Sequence, residues 1–164
     1  MRCLTIICLL CVATSSFAAD DPEVHIEPSH LQGPRVLEKQ TEAAAIRDYL
    51  QAWHSLRSAL AESRSELLDA SFIGDARDKL AATIVEQDKL GIRTRYQDRA
   101  HDLQVVFYSP EGLSIQIVDR IDYDVQILDH DKVITTQRLN VRYIAVLTPS
   151  EVRWRVRILQ GQAN

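Results

Sequence analysis

Cysteine is missing from everything beyond the first eleven residues: Cys3, Cys8 and Cys11 are the only three. If that stretch is removed on export, no disulfide framework, thiol nucleophile or cysteine-based metal site remains. Methionine is scarcer still. Met1 is the only one, which excludes an adaptable Met-rich binding surface. An excess of positive charge is lacking too. Nineteen Lys and Arg stand against 23 Asp and Glu, a net charge of −4. That balance offers no footprint for nucleic acid or an anionic membrane. No Gly-rich phosphate loop, HExxH pair, Ser/His/Asp signature or internal repeat is present. No cofactor is therefore expected, and no metal. His25 and His30 stand five apart without further ligands at defined positions.

What is present begins with an export signal. Arg2 is followed by an almost uninterrupted apolar run, Cys3 to Ala13, and then by Ser16-Phe17-Ala18. Small residues at the two positions read by signal peptidase place the cut after Ala18. The run of about 11 residues is shorter than the roughly 20 needed to span a bilayer. The expectation is a periplasmic or secreted protein with no stable membrane insertion after cleavage. Removing 18 of 164 residues leaves 146, enough for one domain with a sizeable core. The domain reading is a signal peptide over 1–18, a flexible Pro-rich linker over 19–40, a folded domain over 41–160, and a tail over 161–164.

Within the domain the apolar period changes once. Ile46, Tyr49, Leu50, Trp53, Leu56 and Leu60 recur at three- and four-residue spacing, predicting a helix over about 41–63. A short helical piece follows over 66–71. The next helix is predicted from an Asp75 cap to a left-handed stop at Gly91, with Leu80, Ala81, Ile84 and Val85 as its buried face. After Gly91 the period becomes two. Leu103, Val105 and Phe107 alternate, after an irregular stretch over 97–102. Ile115, Ile117, Ile121, Tyr123, Val125 and Ile127 continue on odd positions. Two further strands follow. The last puts Val152, Trp154, Val156 and Ile158 on one face and Arg153, Arg155 and Arg157 on the other. Pairing inner faces at Leu147–Val152 sets Ala145 opposite Trp154 and Tyr143 opposite Val156. The turn over 129–132 then needs an odd loop or a bulge. With the odd loop, Asp122 falls opposite Arg138.

Helices first, then a long antiparallel meander, is the pattern of an α+β roll. Together with Tyr49-Leu50-Gln51-Ala52-Trp53, Tyr143-Ile144-Ala145-Val146-Leu147 and Val152-Arg153-Trp154-Arg155-Val156, it resembles the nuclear transport factor 2-like (SnoaL-like) superfamily. That resemblance implies a cone-shaped roll in which N-terminal helices pack on a curved β-meander around an apolar pocket. It also implies a choice among isomerases, dehydratases, cyclases and non-catalytic binding domains, because fold does not dictate chemistry. As a second alternative the resemblance implies an envelope-assembly component of secretion-system type.

Asp119 is the most informative residue. It is an acid at an odd position in a strand whose other odd positions are apolar, so parity aims it inward. Desolvation would raise its pKa and suit it to acid, base or hydrogen-bond work. The resemblance makes Tyr49 its helical partner. Trp53, Phe107, Tyr123, Tyr143 and Trp154 are the other expected pocket-lining residues, with His101 at the rim. A structural ion pair or an outward turn at a bulge is the alternative for Asp119. The outer sheet face mixes Val106, Tyr108, Val118, Ile144 and Val146 with Arg138, Arg142, Arg153, Arg155 and Arg157. This predicts a homodimer interface built from Arg142, Ile144, Val146, Arg153, Arg155 and Arg157, with the arginines meeting Asp122 and Asp124 of the second copy. The expectation is a non-catalytic domain binding a small apolar ligand or a protein. The alternative is a pocket enzyme using Asp119 and Tyr49.

Overall fold

A computed structural model describes residues 21–29, 31 and 33–163, so the expected signal peptide lies outside the described residues. Its elements are β1 (Glu23–Glu27), α1 (Lys39–Glu62), a 3-10 turn (Ser65–Leu68), α2 (Gly74–Lys89), β2 (Ile92–Tyr108), β3 (Ile115–Asp129), β4 (Lys132–Pro149) and β5 (Trp154–Ala163). The segment expected as linker therefore contains a strand. The expected tail belongs to β5 as far as Ala163.

The α1 stripe buries Ala45, Ile46, Tyr49, Ala52, Trp53, Leu56, Ala59 and Leu60 at helical spacing. The helix starts two residues before Thr41 and ends where Ser63 turns left-handed and donates its N–H to Ala59. In α2 only Ala76, Ala81 and Ile84 are buried, and Val85, expected inside, is 47% exposed. Gly91 stops this helix at φ +68, a conformation costly for any residue with a Cβ.

The strands form one mixed sheet in the order β1-β2-β3-β4-β5, with β1 parallel to β2 and the rest antiparallel. The sheet curves around the two helices as a cone, the expected α+β roll. The core joins the α1 stripe to Leu103, Val105, Ile115, Ile117, Ile121, Tyr123, Ala145, Leu147 and Val156. Each such aliphatic side chain contributes about 1.5–3 kcal/mol on burial.

Register shifts reset which residues face inward. In β2 the pairing skips Arg99 and again Val106. Inward positions are Thr94 and Asp98 before the first bulge, then His101, Leu103 and Val105 after it. The stretch expected as irregular is thus the middle of one long strand. The second bulge turns Phe107 out to 47% exposure and brings Tyr108 against the core. A bulge at Ile134 in β4 supplies the extra residue expected near the β3–β4 turn. It leaves Asp122 opposite Asn140, and Arg138 reaches Asp122 diagonally through two hydrogen bonds. The β4–β5 turn is longer than expected, so Leu147 pairs with Val156 and not with Val152, and the pairing then skips Arg157; Ala145 therefore faces Leu159 rather than Trp154, and Tyr143 faces Gly161 rather than Val156. Ile158 accordingly points outward, and Val152 lies in the turn before β5.

Candidate functional site

The interior of the cone holds a chain of polar side chains in an apolar shell. Tyr49 comes from the buried face of α1, Asp119 from the middle of β3, and Asp98 and His101 from either side of the Arg99 bulge. In a regular strand, residues three apart point to opposite faces. The bulge puts both on the same one.

The Tyr49 hydroxyl donates to Asp119 Oδ2 at 2.9 Å, and His101 Nδ1 lies 2.7 Å from that same oxygen. On its other side, His101 Nε2 is 3.6 Å from Asp98 Oδ2. Asp98 Oδ2 also accepts from Trp53 Nε1 at 2.9 Å and from the Arg57 guanidinium. Asp119 is 0% exposed, and Tyr49 and His101 are 1% exposed. His101 is therefore no rim residue; it sits at the centre of the network.

Electrostatics follow from this order. Burial alone would lower the His101 pKa, but the hydrogen bonds and charges of Asp119 and Asp98 push it up to about 9. The ring is an imidazolium at neutral pH. Burial raises the Asp119 carboxyl, and the contacts with His101 and Tyr49 recover only part of that. Asp98 is also penalised by burial, but His101, Arg57 and Trp53 outweigh it and hold its pKa below the usual carboxylate range. Burial, then the neighbouring Asp119, keeps Tyr49 protonated well above the ordinary tyrosine range. The imidazole thus lies between two acids, with the Arg57 guanidinium on the far side of Asp98. Asp119 Oδ1 and Asp98 Oδ1 are buried without a hydrogen-bond partner among the described residues.

An aromatic layer lies over this network. Trp53 stacks on Tyr96 at 6.1 Å and meets Tyr143 edge-on at 5.0 Å and Tyr123 at 6.3 Å. The Tyr123 and Tyr143 hydroxyls are 3.2 Å apart. Burial pushes Tyr96 up to about 12 and raises Tyr123 and Tyr143 as well. Trp53 also meets the His101 ring edge-on, with centroids 6.0 Å apart. Among the described residues no group of three or more His, Cys, Asp or Glu side chains is arranged as metal ligands.

The structure brings together Asp119, Tyr49, His101, Trp53, Tyr123 and Tyr143. Two expected lining residues are elsewhere. Phe107 is on the outer face. Trp154 is half-buried where β5 begins, its backbone N–H donating to Asp48 Oδ2 at 2.8 Å. Three participants escaped the sequence reading: Asp98, Arg57 and Tyr96. The even alternation Thr94-Tyr96-Asp98 was the available signal, cut short by the bulge that follows it.

Of the expected interface residues, Ile144, Val146 and Arg157 lie on the outer face, and Arg142 donates there to Gln162 at 2.7 Å. Arg155 does not. Its guanidinium donates to the Asp69 and Phe72 carbonyls and ties β5 to the segment before α2. Arg153 lies in the turn before β5, beside Arg47 and Asp48. Asp122 and Asp124, expected to receive arginines of a second copy, bond Arg138 and Arg99 of the same chain.

No family model matches the sequence, and no curated protein matches it. Solved structures do. The intermembrane space region of the chloroplast protein ARC6 superposes with TM-score 0.65 at 13% identity, over 79% of this chain and all of that one. A candidate scytalone dehydratase from Novosphingobium aromaticivorans gives 0.56 at 12% identity, covering 77% of this chain and 89% of its own. A candidate dehydratase of the NTF2-like family from Streptomyces avermitilis gives 0.53 at 9%, covering 74% and 97%. The fold is that of the nuclear transport factor 2-like superfamily. At these identities the likeness is one of fold and carries no activity.

Proposed function

We propose that this chain is a non-catalytic binding domain that works in the periplasm or outside the cell. Its cone is held shut by a charged core, and its outer sheet face associates with a second copy. One observation carries the reading: the His101 ring is wedged between two buried carboxylates, Nδ1 2.7 Å from Asp119 and Nε2 3.6 Å from Asp98, and Asp119, Tyr49 and His101 are essentially unexposed. A general base needs a free lone pair within reach of substrate. This imidazole has none. No described helix is long and apolar enough to cross a membrane.

The outer face supplies a surface for association. Phe107, Gln116, Val146 and Ile158 form one cross-strand row, with Val118 and Ile144 in the next. Phe107 and Ile158 are 47% and 38% exposed, and Arg157 stands beside them.

Nitrogen-15 NMR of His101 tests the closed cone. The ring should stay doubly protonated from pH 6 to 8, and its shifts should not move when β-hydroxy ketones, the substrate chemistry of a dehydratase, are added. A shift at His101 or loss of water from the probe would replace this reading with a pocket enzyme in which Asp119 and His101 act as acid and base. One observation favours that second reading: the partnerless Asp119 Oδ1 would accept a hydroxyl if the rings parted.

A further inference from the structure

The sheet ends at β1, and among the described residues nothing pairs with the edge of β1 that faces away from β2. An unpaired strand edge is a row of free N–H and C=O groups able to take another strand. Two features make this edge more than a bare terminus. The first lies on its inner side. Val24 and Ile26, opposite His101 and Leu103, share the inner face of the sheet, yet they are 40% and 49% exposed. Beside them a groove of 480 Å³ runs between β1 and α1, lined by Ile26, Ala43, Ile46, Leu50 and the stems of Arg47 and Gln51. The sheet curves past the helix here, and among the described residues no side chain fills the space between the two apolar walls.

The second feature is charge. The outer face of β1 carries Glu23, His25 and Glu27, all on the side opposite Ile26. Asp102 lies across from His25 on the neighbouring strand, and Asp21 precedes the strand. A strand added to β1 would present its inward residues to the groove and its outward residues to these carboxylates. The inward set must be apolar and the outward set basic. A second β1 is disfavoured as the occupant, because it would set glutamate against glutamate.

We propose that the β1 edge and its groove dock an extended segment of a protein partner in which β-branched residues alternate with lysine or arginine. Main-chain pairing supplies the grip and the two faces supply the selection. This surface is separate from the outer-face dimer. Its test therefore uses the Ile158→Asp chain, so that loss of the dimer and loss of docking read separately.

The probe is a fluorescein-labelled peptide of alternating valine and lysine, of the length of β1, titrated into the exported chain and followed by anisotropy. Ile26→Lys, which blocks the groove, and the pair Glu23→Lys and Glu27→Lys, which reverses the rim, should each weaken binding by about 10-fold or more, as loss of one good contact does. Circular dichroism checks that these exposed substitutions leave the fold intact. Replacing the central valine of the peptide by proline should abolish binding, since it removes a ladder donor. Equal binding of the proline peptide, or of the charge-reversed chain, would overturn the proposal. So would slow hydrogen exchange, in the free chain, of the β1 amides that face away from β2, because the edge would then be covered by its own chain. Sedimentation that shows a dimer abolished by Ile26→Lys would assign the groove to a second copy and equally refute it.

Discussion

Replacing His101 by leucine removes an imidazolium held between two buried carboxylates and leaves Asp119 with Tyr49 as its donor. Two routes give the size of the effect. A pKa raised from 6.5 to about 9 is worth about 3 kcal/mol, at about 1.4 kcal/mol per unit. Orphaning a buried charge costs about 3–5 kcal/mol. Asp119 has an escape, because burial already raises its pKa and it can take up a proton instead. The lower figure therefore applies: about 3 kcal/mol at pH 7, or roughly 10 °C in Tm for a domain of this size. Urea unfolding of the wild type, His101→Leu, Asp119→Leu and the double variant measures it. The double variant should recover at least half the loss, since apolar side chains of similar volume often replace a buried ion pair at little cost. The pH dependence has a definite sign. The folded pKa of His101 lies above its unfolded value, so its contribution is complete below about pH 6.5 and is lost as pH rises through about 9. Asp119 is also raised, so its own share is lost at lower pH, as pH climbs through and above the usual carboxylate range. Between pH 6.5 and 9 the wild type should lose stability faster than His101→Leu. A loss below about 1 kcal/mol, or parallel pH profiles, would refute the idea that the imidazolium holds the cone together.

Other outcomes follow from single contacts. Arg155→Ala removes two hydrogen bonds to the Asp69 and Phe72 carbonyls and should cost about 2 kcal/mol, with faster exchange of the amides between the 3-10 turn and α2. Gly161→Leu should displace the Tyr143 ring, whose Cε1 lies 3.0 Å from the position a Cβ would take; overpacking of this kind costs about 1–3 kcal/mol and should alter the near-UV circular dichroism of the tyrosine cluster. Ile158→Asp lies on the outer face and should change stability by less than about 0.5 kcal/mol, yet turn a dimer into a monomer in sedimentation velocity. Persistence of the dimer would move the interface elsewhere.

Much of this architecture was legible in the chain. The α1 stripe, the Gly91 stop and the inward parity of Asp119 are local patterns of period 3.6 or 2, and the tertiary structure keeps them. Tyr49 and Asp119 were matched through the resemblance, and they are hydrogen-bonded. The misplaced faces of β2 and β5 share a cause. Face assignment by parity holds only until the next bulge, and a bulge is one extra residue with no compositional mark. Val106 and Arg157 are ordinary strand residues, yet at these points Phe107 and Ile158 turn outward and Tyr108 and Leu159 turn inward. Arg99 has the largest consequence. By strict alternation Asp98 and His101 fall on opposite faces; across this bulge they meet.

The sequence by itself determined the two helices, the long meander that follows them, and an acid aimed into its interior, because those depend on spacing along one chain. Only the tertiary structure decided that the acid is hydrogen-bonded to a histidine, which is in turn flanked by a second carboxylate, and that a cluster of tyrosines packs on Trp53 beside them. Those facts depend on which strand residues oppose one another across the sheet. That register is set by where hydrogen-bonded ladders skip a residue, a choice made by the packing of the whole sheet around α1.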